Sequence, residues 1–144
     1  MPAARQRLHR AGVDFYLAPT ADDREVWIAA MRAFAFEAGA FVLSPVQYLR
    51  RDHFPDELAA CPDELLVGNS MIVDPWGTPL AGPVAGREEI LYADCDMGAI
   101  IAARRVFDVA GHYCRPDIEE PEPLRAVAGT IPVAPGTGDD RRGG

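Results

Sequence analysis

Residues 22–39, DDREVWIAAMRAFAFEAG, constrain the fold more than any other stretch. Val26, Trp27, Ala30, Met31, Phe34 and Ala38 recur at helical spacing, and Ala33, Ala35 and Phe36 spread apolar character almost all round. A helix with so little polar face is usually held between two layers. The expected layers are a sheet on one side and another subunit on the other. Asp22 is placed to cap this helix, Glu25 three positions later completes a capping box, and Asp23 suits its positive end. Gly39 supplies the stop.

The flanking runs define the sheet. Val13–Ala18 precedes the helix and Phe41–Val46 (FVLSPV) follows it, both apolar on both faces, as strands covered on two sides are. Strand, helix and strand in that order predict an α/β layered fold. Between the first strand and the helix lies a corner at Pro19 and Thr20, a strand end of the kind where α/β enzymes keep working groups. Pro2–Ala11 reads as a short helix stopped by Gly12. Gln47–Leu65 reads as a long polar connection, and Gly68–Asp74 as a strand that PWGTP reverses. Glu88–Asp96 (EEILYADCD) is expected to be a further strand. Met97–Phe107 is expected to be a helix, with Arg104 and Arg105 suited to its negative end. Residues 119–144 are rich in proline and glycine and are expected to form a flexible tail. About four strands and two or three helices cover one sheet face and leave the other bare, which normally marks an obligate contact.

Composition narrows the function. A net charge of −8 argues against nucleic acid or an anionic membrane as the main partner. With no long apolar run and no signal-peptide core, a cytoplasmic location is expected. Cys61, Cys95 and Cys114 lack CxxC spacing and fit thiols in a reducing compartment. His9, His53 and His112 lie far apart and form no metal pattern, so neither metal nor cofactor is expected. All 14 basic residues are arginine; lysine is absent.

Five segments carry a resemblance: APTADDREVW (18–27), MRAFAFEAGAFVLSPVQYLRR (31–51), GNSMIVDPWGTPLAGP (68–83), EEILYADCD (88–96) and FDVAGHYCRPDI (107–118). In order and spacing they resemble the nitrilase branch of the carbon–nitrogen hydrolase superfamily, over residues 1–118. Many relatives carry histidine where Ala33 stands, cysteine where Ala40 stands and phenylalanine at Glu119. The resemblance implies a four-layer α-β-β-α sandwich, of which this chain supplies the C-terminal half, incomplete on its own. It also implies hydrolysis of a nitrile to a carboxylic acid and ammonia by a glutamate, a lysine and a cysteine. The family's cysteine motif reads Cys-Trp-Glu-Asn-Tyr-Met-Pro, and Met1 and Pro2 match its last two residues. None of the three catalytic groups therefore falls on this chain, and the chain alone is expected to be inactive. Loss of such a nucleophile costs on the order of 10⁶ in rate.

What remains is scaffold, a pocket wall at Pro19 and Thr20, and subunit pairing through Asp22–Gly39. A small nitrile substrate is expected only together with the N-terminal half. The competing readings are a non-catalytic module that pairs with a full-length nitrilase, or one half of a split enzyme complemented in trans.

Other clusters have plainer explanations. His112 and Cys114, with Asp108 or Asp117 nearby, offer a thiol, an imidazole and a carboxylate; but His-x-Cys without further ligands is a poor zinc site. Cys95, between Asp94 and Asp96, is expected to be a structural thiol with a raised pKa, and Cys61 an exposed bystander. Arg50, Arg51, Asp52 and His53 fit a solvated loop or subunit contact better than an anion site. Trp27, Phe34 and Phe36 fit core or interface. GTGDD in the tail lacks a preceding strand and is a poor phosphate loop.

Overall fold

Helix α2 (Glu25–Ala38) bridges two parallel strands, β1 (Phe15–Leu17) and β2 (Phe41–Ser44), in register Phe15↔Phe41 to Leu17↔Leu43. The expected strand–helix–strand unit is therefore present. A computed structural model describes residues 2–55 and 62–115. Residues 119–144, read as a tail, and Cys61 lie outside the described residues. Helix α1 (Pro2–Arg10) precedes the unit, and Gly12, at φ 66°, ends it as expected.

Three antiparallel strands extend the sheet: β3 (Tyr48–Arg50), β4 (Glu64–Val73) and β5 (Pro79–Ala85). β4 is long enough to pair with β2 along its second half and with β3 along its first. Ile72 pairs with both Leu43 and Ala81, so β5 lies on β4's opposite edge. The segment read as a polar connection therefore contains a strand and a 3₁₀ turn at Arg51–His53. Two prolines and a glycine within PLAGPVA hide the β5 strand pattern in the sequence.

Glu88–Asp96 is not a strand. Its exposure alternates as in a strand, with Leu91, Ala93 and Cys95 half-covered while Ile90 is 75% and Tyr92 82% exposed. Among the described residues it pairs with no strand of the sheet, and an unpaired extended segment forms no ladder. Helix α3 (Met97–Val106) follows, capped by Asp96, whose carboxylate accepts from Gly98 N at 2.8 Å.

The start of α2 also departs from expectation. Arg24 occupies the N-cap without a side-chain cap, and no capping box forms. Asp22 is instead gripped by the Arg24 guanidinium, Nε at 2.8 Å and Nη2 at 2.6 Å, which holds its pKa down at about 2. The same carboxylate also accepts the Arg24 backbone N–H at 3.2 Å, so its capacity is spent one residue before the helix begins. The end is as expected: Gly39 is left-handed at φ 54°, and its N–H turns back to the carbonyls of Ala35 and Phe36. Arg104 leaves the end of its own helix to close α2 instead. Its Nε donates to Ala38 O at 3.3 Å and its Nη2 to Val13 O at 2.7 Å.

α2 buries Ile28, Met31, Phe34, Ala35 and Ala38 against one sheet face. Tyr16 stacks on Phe34 with centroids 4.1 Å apart. Trp27 is a core group, donating from Nε1 to Ser44 Oγ at 2.9 Å; that hydroxyl donates onward to Ala18 O at 3.2 Å. On the opposite face β2 is covered at Phe41, which is 1% exposed, but β1 is bare. Phe15 is 44% and Leu17 67% exposed, so β1 is covered on one side rather than on two.

Candidate functional site

The corner at Pro19 and Thr20 is fixed by backbone and side-chain bonds on every side. Thr20 bridges to Val46: its N–H donates to Pro45 O and its carbonyl accepts from Gln47 N, both at 3.1 Å. Thr20 Oγ1 accepts from Asp22 N at 3.0 Å. Asp23 then crosses to β4. Its Oδ2 accepts from Val67 N at 2.8 Å, and its carbonyl accepts from Asn69 Nδ2 at 2.6 Å. Asn69 reaches this carbonyl because β4 is irregular there, with Gly68 at φ 98° and Asn69 at φ 78°. The Gly68–Asn69 pair inside a strand pattern was the legible signal for that bulge. Asp23 is thus a tie between corner and sheet, not a partner for the helix dipole.

Removing this tie is a direct test. Asp23→Ala leaves the part-buried Val67 N–H without its acceptor and should cost about 1–3 kcal/mol. Urea unfolding would show it as a lower midpoint at unchanged slope. No shift would mean that Val67 is satisfied by solvent.

Beside the corner lies a cavity of about 300 Å³ whose lining includes Pro45, Val46, Tyr48, Ser70, Arg87 and Glu88. Pro19 and Thr20 line neither this cavity nor the second one; Thr20 stands behind its wall, through Pro45 and Val46. Ser70 is already engaged: its Oγ accepts from Val46 N at 2.9 Å and donates to Val46 O at 3.2 Å. At the rim, Arg87 pairs with Glu89 at 2.6 Å. The lining holds hydroxyls, carboxylates and one guanidinium, with neither described cysteine among them. Such a surface binds and orients; a nucleophile–base pair is not part of it.

The remaining candidates are dispersed. Burial, and then the Asp94 charge, push the Cys95 thiol up, which blunts it as a nucleophile. His112 lies in a turn, where Cys114 N donates to Gly111 O at 3.0 Å. Among the described residues no cluster of three metal-ligating side chains exists. Arg50 pairs with Asp52 at 3.2 Å and Arg51 with Asp63 at 3.9 Å, so both guanidinium groups face carboxylates. Phe34 is core, and Phe36, 41% exposed, stacks on Phe107. No helix among the described residues is long and apolar enough to cross a membrane.

The carbon-nitrogen hydrolase family profile matches residues 2–105. An aliphatic nitrilase from Sinorhizobium fredii is 45% identical over 136 residues, covering 88% of this chain and 44% of that protein. A bifunctional nitrilase/nitrile hydratase from Lupinus angustifolius is 43% identical over 128 residues, covering 82% of this chain and 37% of its own length. The chain thus spans less than half the length of these curated relatives. Among solved structures, a carbon-nitrogen hydrolase from Helicobacter pylori superposes with a TM-score of 0.58 at 21% identity, covering 74% of this chain and 40% of that one. A superfamily protein from Xanthomonas campestris gives 0.52 at 20% identity, covering 67% and 34%. The α/β fold is shared with both, and with its profile match and its nitrilase relatives the chain belongs to the carbon-nitrogen hydrolase family.

Proposed function

We propose that this chain is the C-terminal part of a nitrilase-type hydrolase, acting as scaffold and pocket wall for catalytic groups that it does not itself carry. The observation that carries this reading is the apolar surface left bare on β1 and on the unpaired segment that follows β5. Phe15 and Leu17 on β1, and Ile90 and Tyr92 on the unpaired segment, present apolar side chains that a second sheet layer would cover. A four-layer α-β-β-α sandwich supplies such a layer. The share of the relatives' length that the chain spans agrees with this division.

In this reading the corner at Pro19 and Thr20 backs the substrate pocket, and its bonds to Val46, Val67 and Asn69 give it a fixed shape. Nitrile hydrolysis needs a thiolate to attack carbon, a carboxylate to move protons and a cation for the developing charge. Lysine is absent from the sequence and burial pushes the Cys95 thiol up, away from a thiolate, so in this reading those roles belong to the other half of the sandwich. Subunit pairing uses the outward face of α2, where Val26, Ala29, Ala33 and Phe36 lie exposed at helical spacing.

A chimera tests the proposal. The part of the Sinorhizobium nitrilase that this chain does not match is fused ahead of residue 1, and ammonia release from a small aliphatic nitrile is measured. Turnover by the chimera and none by the 144-residue chain is expected. Turnover by the chain alone, surviving serine at Cys61, Cys95 and Cys114, would overturn it. So would a folded chimera that releases no ammonia.

A further inference from the structure

His9 is the one titratable side chain sealed inside the described core. It sits in the last turn of α1, 8% exposed, with its ring centroid 5.1 Å from that of Phe34. Neither Nδ1 nor Nε2 has a hydrogen-bond partner, and both are closed to solvent. Beside the ring lies a cavity of about 220 Å³. The charged groups around it come from four elements: Arg5 and Arg10 on α1, Glu37 on α2, Arg104 on α3, and Asp108 in the turn after α3.

Two of these groups are committed elsewhere. Arg104 spans Ala38 O, Val13 O and Asp14, while Asp108 Oδ1 accepts the N–H groups of Ala110 and Gly111. Glu37 is the carboxylate left to meet a cation at His9.

We propose that α1 is a pH-sensitive latch, closed on Phe34 while His9 is neutral and released when His9 takes a proton. An imidazolium carries two N–H donors and needs two acceptors or water. The seat against Phe34 offers neither. Hydrating the charge therefore requires the ring to leave that seat, toward the cavity and Glu37, and the end of α1 goes with it. Gly12, left-handed and with open space around it, is the joint about which α1 swings.

Burial, which outweighs the favourable charge of Glu37, depresses the His9 pKa in the closed state below the ordinary 6.5; Arg5 adds to the depression. The open state binds the proton more readily. Closure is thus complete above pH 6.5 and is lost as pH falls below it.

Amide hydrogen exchange on the 144-residue chain, corrected for intrinsic rates, tests the latch between pH 7.5 and about 5.5. The amides of Ala11 and Gly12, bonded to Arg7 O and His9 O, should open about five- to tenfold more at the lower pH. Amides of α2 and β4 should keep their protection. His9→Phe retains the packing on Phe34, and His9→Gln retains polarity; both should abolish the pH response. Glu37→Gln should move the response to lower pH. The latch is refuted if the wild-type response matches that of either variant, or if α2 and β4 open in step with α1.

Discussion

Alanine at Phe34 should cost about 3–5 kcal/mol of unfolding free energy, the largest loss expected from any single truncation in this core. Phe34 is fully buried and stands where three elements meet: its ring faces His9 of α1 and Tyr16 of β1, and its backbone belongs to α2. Truncation leaves a void that these neighbours cannot fill without moving the sheet away from the helix. It also removes the aromatic contact that seats α1. The same helix supplies the control. Phe36 is 41% exposed and stacks on Phe107 at 4.8 Å, so its truncation removes area without opening an enclosed void. Phe36→Ala should cost roughly a third as much. Urea unfolding followed by circular dichroism reads both, and equal losses would mean that Phe34 is not the keystone described. A domain of this size is stable by about 5–15 kcal/mol, so Phe34→Ala removes a large fraction of the total.

The parts of the fold legible in the sequence were those set by long-period apolar patterning. The apolar circumference of α2, its Gly39 stop and the two flanking strands all emerge from spacing alone. The helices α1 and α3 and the second half of β4 also stand where the sequence places them, whereas local competition hid other features. Asp22 has the identity of a cap, yet Arg24 two residues on captures its carboxylate, and sequence spacing does not say which partner wins. β3 is only three residues long and β5 is broken by proline and glycine, so neither shows a clear alternation. Glu88–Asp96 shows alternation and still forms no strand, because pairing depends on a neighbouring edge. The corner at Pro19 and Thr20 was visible as a turn. Its anchoring through Asp23 to Val67 and Asn69 was not, since Asp23 is 44 and 46 positions from them. In the sequence His9 is one of three scattered histidines, and only the packing of α1 on Phe34 makes it a buried ring.

Gly82 carries the second large effect, because two independent costs fall on one backbone position. Its φ of 77° is a conformation in which an L side chain costs about 1–2 kcal/mol. A Cβ there would also overlap the Ser70 carbonyl oxygen and lie 3.1 Å from Met71 Cα and 3.2 Å from Met71 Cβ. Neither residue can retreat. Met71 is 1% exposed and paired with Ser44, while Ser70 is bonded through Oγ to Val46 at the cavity wall. β5 must therefore peel away from β4, and Gly82→Ala should cost about 3–5 kcal/mol. Gly86 isolates the two terms: its φ is 75°, but nothing lies within 4 Å of a Cβ built there. Gly86→Ala should cost only the conformational part, about 1 kcal/mol. The difference between the two urea midpoints measures how tightly β5 is pressed onto β4. Equal destabilisation by the two substitutions would show that the strands do not approach this closely, and the cavity wall built on Ser70 and Val84 would have to be redrawn.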